Sequence, residues 1–362
     1  MNGLKEIAAR RRWIAAALAL CLAALALSAC GGSSSSSSSS ESSTGSEETT
    51  GGEESAGNEG GSGGSSVEGK TVVFVPGVSP LPYFDTMNEV AEEEAKKYGL
   101  NYTYQPPPEF NPEVETETLN AVLATEPDLL IVSPVDPVAL RPPIERFIAK
   151  GIPVITIDGE LENREGIVTS IYCNNREGGQ LAGEALGKLM GGTGSTAIFN
   201  IAPGIPNLEE RIEGFEEALS KNYPKVTVAA VENPGADPSD SQTKARSVLL
   251  ANPDIRGFFG TTEVNAEGAA AAVKALGKSN EILTAAYDTA PNEVELLKEG
   301  VLAVLIAQEP IKEIQEGMKA AVETLEGNES EVPETIVLKN KAITAENVDD
   351  PSNAPYLYQE AR

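Results

Sequence analysis

From Thr71 onward the chain alternates between short β-branched runs and stretches with an apolar residue every three or four positions. The first pattern predicts strands and the second amphipathic helices. Strands are expected at Thr71–Val75, Tyr102–Tyr104, Leu129–Val132, Pro153–Ile157, Ile167–Ile171, Thr196–Ile201, Val226–Val231, Gly257–Phe259, Ile282–Ala286 and Val301–Ile306. Helices are expected at Phe84–Tyr98, stopped by Gly99, near Glu113–Ala124, and at Val138–Lys150, Glu177–Met190, Leu208–Lys221, Ser239–Leu250, Ala266–Leu276, Glu293–Lys298 and Ile311–Leu325. Strand–helix alternation is the mark of parallel sheets with helical crossovers. Several strands are almost wholly apolar, as when both faces of a sheet are covered. About ten strands are too many for one ordinary doubly wound sheet, so two Rossmann-like α/β lobes are expected. Periodicity alone leaves an eight-fold barrel open.

Before Thr71 the pattern breaks down. Lys5 and Arg10, Arg11 and Arg12 precede an apolar run, Trp13 to Leu27, of signal-peptide length. It ends in Leu27-Ser28-Ala29-Cys30-Gly31, which resembles the lipobox of bacterial lipoproteins. In that family the thiol, here Cys30, takes a diacylglycerol and becomes the mature N-terminus. An ordinary signal peptide or an uncut membrane anchor is the alternative. Residues 31–66 hold 15 Ser, 10 Gly and six Glu but no Lys or Arg, too little apolar surface to offset ordering entropy. They are expected to form a disordered leash with a reach of roughly 30–36 Å. The expected layout is a signal peptide at 1–29, a tether at 30–68, a folded body, and a polar tail at 346–362 without an assigned role.

Composition narrows the chemistry. The 362 residues include 27 basic and 55 acidic side chains, for a net charge of −28, and no histidine. Without imidazole there is no Ser-His-Asp triad and no histidine-based metal site. A strongly acidic chain repels nucleic-acid backbones. Cys21 lies inside the signal, so Cys173 is the one thiol of the folded part and no intrachain disulfide forms there. With no histidine to activate it, Cys173 reads as a packed residue rather than a nucleophile. Gly191-Gly192-Thr193-Gly194 precedes a strand and lacks the Lys-Ser/Thr pair, so it is a turn rather than a phosphate loop. No metal or cofactor is expected.

Ligands of open α/β sheets bind beyond the carboxyl ends of strands. Those positions carry Tyr83 and Phe84 after the first strand, and Ser133 through Asp136 after the third. Further on they carry Asp158, Thr262, Asp288 and Gln308. Asp136 is explained as a helix cap, whereas Asp158 and Asp288 directly follow aliphatic strands.

These landmarks, in this order, resemble the type I solute-binding proteins of sugar ABC transporters, of the ribose- and galactose-binding kind. The similarity spans Lys70 to Leu338. It is carried by Pro82-Tyr83-Phe84, Ser133-Pro134-Val135-Asp136, Gly151-Ile152-Pro153-Val154-Ile155-Thr156-Ile157-Asp158, Asn174-Asn175-Arg176-Glu177-Gly178-Gly179, Arg211-Ile212-Glu213-Gly214-Phe215, Asp288 and Ala307-Gln308. The resemblance implies two lobes joined by a three-crossing hinge, residues 69–173 with 309–337 and residues 174–308 with 338–345. It implies a ligand gripped by Asp158 and Arg211, with Asp288 and Gln308 on the other side and Tyr83 and Phe84 against its C–H faces. Ser133, Thr262 and Cys173 occupy family contact positions as well. Leu81, Ser133 and Thr262 stand where the family usually has asparagine, which removes three amide groups and argues against ribose itself. The implied function is an exported, monomeric, lipid-anchored, non-enzymatic protein that delivers a sugar or polyol to an ABC permease. A sensory receptor of the same fold, or a surface carbohydrate hydrolase using Asp158 and Asp288, are the competing readings.

Overall fold

A computed structural model describes residues 67–358, all within one compact unit. Cys30, the signal segment and all of the tether except Val67 and Glu68 lie outside the described residues. The chain forms two six-stranded sheets rather than a barrel. The first contains β1 (Thr71–Val75), β2 (Asn101–Tyr104), β3 (Leu129–Val132), β4 (Val154–Ile157), β5 (Thr169–Cys173) and β11 (Thr335–Leu338) in the order β11-β5-β4-β3-β1-β2. The second contains β6 (Gly194–Phe199), β7 (Val226–Glu232), β8 (Ile255–Gly260), β9 (Leu283–Tyr287), β10 (Val304–Ala307) and β12 (Lys341–Ile343) in the order β12-β10-β9-β8-β6-β7. The two orders are the same when the strands of each lobe are counted in sequence. All pairings are parallel except that of β10 with β12.

The parallel strands need crossovers, and nine helices supply them among the described residues: α1 (Pro82–Tyr98), α2 (Pro112–Leu123), α3 (Arg141–Ala149), α4 (Asn175–Leu189), α5 (Pro206–Asn222), α6 (Pro238–Ala251), α7 (Glu263–Ala275), α8 (Pro291–Lys298) and α9 (Pro310–Leu325). Six of them begin on proline, whose fixed φ and missing N–H suit the first helical position. Asn111, Asn174 and Asp237 cap their helices through side-chain oxygens. Asp136 caps the amides of Val138 and Ala139, but regular helix starts only at Arg141.

Strand alternation sorts each core into two layers. In the first lobe Phe74, Leu129, Ile131, Ile155 and Ile171 face α1 and α9, while Val73, Leu130, Val132 and Val154 face α2 and α3. In the second lobe Ile198, Phe259 and Ile306 face α4 and α5, and Phe199, Ile255 and Phe258 face α6 and α7. Helices α4 and α5 lie with their backbones in contact, because Gly179 and Gly214 oppose each other's helix. A methyl at Gly179 would run into the Arg211 carbonyl oxygen, and one at Gly214 into that of Arg176.

The chain passes between the sheets after Cys173, at Gln308-Glu309, and at Lys339-Asn340. These passages are bonded to one another. The Asn174 amide donates to Leu338 O at 2.9 Å, Asn340 Nδ2 to Asn174 O at 2.6 Å, and the Glu309 amide to Cys173 Sγ at 3.4 Å.

Three features differ from the sequence expectation. Val67, assigned to the tether, is fully buried in the first lobe's core. Strands β11 and β12 are short, and β11 is partly exposed, so their apolar pattern is weak. The tail is not a loose polar segment. Val348 packs into the second lobe, a 3-10 turn follows at Pro351–Tyr356, and Tyr358 enters the core of the first lobe.

Candidate functional site

Asp158 and Asp288 occupy equivalent places in the two lobes, directly after β4 and β9. Both have left-handed backbones, with φ of 60° and 84°, a region that Asp tolerates better than most side chains. Each aspartate amide donates at 2.8 Å to the neighbouring strand, Asp158 to Ile171 O and Asp288 to Ile306 O. The kink turns each carboxylate away from its sheet. Both carboxylates line one cavity of about 660 Å³ whose walls come from both lobes. Tyr83, Phe84, Arg211, Thr262 and Gln308 line it too.

Arg211, on α5, is 3 % exposed and nearly encased. Its Nε donates to Asn175 Oδ1 and its Nη1 to Thr261 O, both at 2.8 Å, and its Nη2 donates to Gln308 Oε1 at 3.2 Å. Its guanidinium carbon lies 3.7 Å from the centre of the Tyr287 ring, a cation–π contact that favours the charge. No ion pair joins Arg211 to Asp158 or Asp288 among the described residues. Arg211 thus keeps one N–H on each terminal nitrogen uncommitted. Gln308 Nε2 donates to Asp288 Oδ1 at 2.7 Å, while Asp288 Oδ2 has no partner among the described residues.

Tyr83 and Phe84 belong to both the core and the cavity wall. Their rings meet edge to face at 5.2 Å. Thr262 contributes wall, but its hydroxyl is spent on Asn265 Oδ1 at 2.9 Å. Two sequence candidates stand behind the wall rather than on it. Ser133 is buried and donates to Asp158 Oδ2 at 3.2 Å. Cys173 is buried at the first interlobe passage, with its sulfur facing the Glu309 amide and Glu313.

Three residues at the site carry no role in the sequence reading. Glu313 on α9 is fully buried beneath the cavity, where Oε1 accepts from the Asp158 amide and Oε2 from the Tyr83 hydroxyl, each at 2.7 Å. Burial, and then the charge of Asp158, push its carboxyl well above the usual range. A signal for it existed: Glu313 lies on the apolar stripe of α9 with Ile314, Gly317, Met318 and Ala321. Glu263, at the start of α7, lines the cavity with Oε2 unpartnered, and burial and then Asp288 push its carboxyl up. Tyr358 donates its hydroxyl to Asp288 Oδ1 at 2.7 Å, and its ring lies 5.5 Å from that of Tyr83. It therefore touches both lobes at once. A single tyrosine near the chain end gives no periodic signal.

Burial raises the Asp158 carboxyl to about 6; Arg211 opposes the rise and Asp288 adds to it. An unfolded aspartate releases its proton near ~4. Between those values the folded state binds more protons, so stability falls as pH rises through that window, by roughly 2–3 kcal/mol from this group. Urea midpoints should drop from pH 4 to 7, and Asp158→Asn should shrink that drop; an unchanged drop would remove Asp158 as its source. Tyr358→Phe should cost about 1–2 kcal/mol through the lost hydrogen bond to Asp288. Tyr358→Ala should cost about 3–5 kcal/mol through lost ring packing. Thermal denaturation reads both, and an unshifted melting point in Tyr358→Ala would show that the tyrosine does not pack at this site.

Comparison with known proteins agrees with the geometry. The family model described as periplasmic binding protein domain matches residues 72–329. The ribose import binding protein of Escherichia coli K12 is 26 % identical over 269 residues, covering 74 % of this chain and 89 % of the relative. A solute-binding protein of an ABC transporter from Agrobacterium vitis, solved with bound α-D-tagatopyranose, is 29 % identical with a TM-score of 0.77. That alignment covers 80 % of this chain and all of the other. A periplasmic solute-binding protein from Actinobacillus succinogenes with bound D-allose is 25 % identical with a TM-score of 0.71, covering 76 % and 98 %. With its two sheets of matching strand order and a family match across both lobes, the chain belongs to the periplasmic binding protein family and has the type I fold.

Proposed function

We propose that this protein is the substrate-binding component of an ABC importer, capturing a sugar or sugar-like polyol outside the cytoplasm and handing it to a membrane permease. The observation that carries this reading is the convergence of Asp158, Asp288 and Gln308 from strand ends, and Arg211 from helix α5, on one interlobe cavity. Hydroxyls both donate and accept, so they match a set that mixes carboxylate oxygens with guanidinium N–H groups. Charge-assisted bonds of this kind are strong enough to replace water. The rings of Tyr83 and Phe84 suit the less polar faces of a sugar. Import relatives and sugar-bound neighbours of the same fold support the same reading.

Closure is the mechanical part of the proposal. Three bonded passages leave the lobes free to rotate about one axis, and a guest touching both strand-end sets stabilises the closed arrangement. Binding, not turnover, is the activity, because the site offers opposed gripping groups and the family consists of transport binding proteins. Cys30 supplies the anchor by lipidation, and the Ser/Gly/Glu-rich segment spaces the body from the membrane surface.

A thermal-shift and calorimetric screen of pentoses, hexoses and inositols tests the binding role. At least one should raise the melting temperature by mass action. Asp158→Ala and Arg211→Ala should each weaken it by at least tenfold, as each removes charge-assisted bonds to a buried guest. A screen without a single binder would refute the sugar assignment. Metabolic labelling with an alkyne fatty acid should mark the wild type and not Cys30→Ala; equal labelling of both would reject the anchor.

A further inference from the structure

The cavity is chemically divided. Asn207, Glu109 and Asp237 are the polar groups of its outer part, while Arg211, Asp288 and Gln308, at the buried end, are 3 %, 7 % and 3 % exposed. Around them, both lobes add an apolar rim that is mostly part-exposed. Leu81 and Phe110 come from the first lobe, and Ile201, Ile205, Leu208 and Val264 from the second. Part-exposed apolar side chains around a cleft mark a surface that gains by being covered.

The polar end also has limited bonding capacity. Three of Arg211's five N–H groups, one oxygen of Asp288, and one N–H and the oxygen of the Gln308 amide are already engaged within the protein. Thr262 spends its hydroxyl on Asn265, and Leu81 offers a hydrocarbon wall. What remains is two N–H groups of Arg211, one of Gln308, oxygens of Asp158 and Asp288, the carboxyl of Glu263 and the Asn207 amide. That set suits a few hydroxyls. The volume, about 660 Å³, equals roughly twenty waters. A free monosaccharide of about a dozen heavy atoms held at Arg211 and Asp288 would leave the apolar rim side chains without a partner of their own kind.

Resting on the sugar-binding reading of this same cavity, we propose that the preferred guest is amphipathic: a polyol head held by Asp158, Arg211 and Asp288, carrying an uncharged apolar substituent that fills the rim between Phe110 and Leu208. Glycosides with a hydrocarbon or aryl aglycone form the chemical class. Anionic substituents are disfavoured, since Glu109 and Asp237 also line the cavity and Arg211 is its one basic group.

The test is calorimetry on the mature protein with matched pairs, each free pentose or hexose of the screen against its phenyl β-glycoside. The glycoside of at least one sugar should bind tenfold or more tightly than the free sugar, with a more negative heat-capacity change. Phe110→Ser should shrink that ratio toward one, and Leu81→Asn should lower it as well. Free sugars binding as well as or better than every glycoside would overturn the amphipathic guest while leaving the sugar reading standing. Binding of neither member of any pair would overturn both.

Discussion

A guanidinium that is almost wholly removed from water needs partners for its charge, and much of this site is organised around supplying them to Arg211. Asn175 comes from the start of α4, the Thr261 carbonyl from the end of β8, the Tyr287 ring from β9 and Gln308 from the end of β10. Four separately folded segments must be in register for one side chain to be tolerable, since an unpartnered buried ion costs several kcal/mol. The glycines between α4 and α5 belong to the same requirement. They let the two helix backbones touch, which sets the depth at which Arg211 enters.

The opposite lobe answers with carboxyl groups in a second arrangement. Glu313 lies under Asp158, ties its amide and the Tyr83 hydroxyl together, and faces Cys173 at the first passage between lobes. The floor of the cavity and the hinge are therefore one hydrogen-bonded assembly.

The fold was largely legible because the physics that builds it is local. Runs such as Leu129–Val132 and Val304–Ala307 are fully buried on both faces and can be little else than parallel strands. Asp158 and Arg211 were legible as well, the first as a charge ending an aliphatic strand and both through the family resemblance. What escaped depends on long-range placement. Ser133 and Cys173 occupy the expected stretches, but which side of the wall they stand on is decided by neighbours over a hundred residues away in the case of Cys173. Glu313 could have been found by asking why a carboxylate interrupts the apolar stripe of α9. Tyr358 could not, because nothing local distinguishes it from a solvent-exposed tail residue.

The placement of Tyr358 gives the segment that carries it a structural part. In a two-lobed protein whose halves are joined by three passages, a tail that lies on one half and ends inside the other is a fourth tie. It ends on Asp288, one of the groups that faces the cavity. A load on the chain beyond Tyr358 reaches Asp288 through that hydroxyl and the first lobe through that ring.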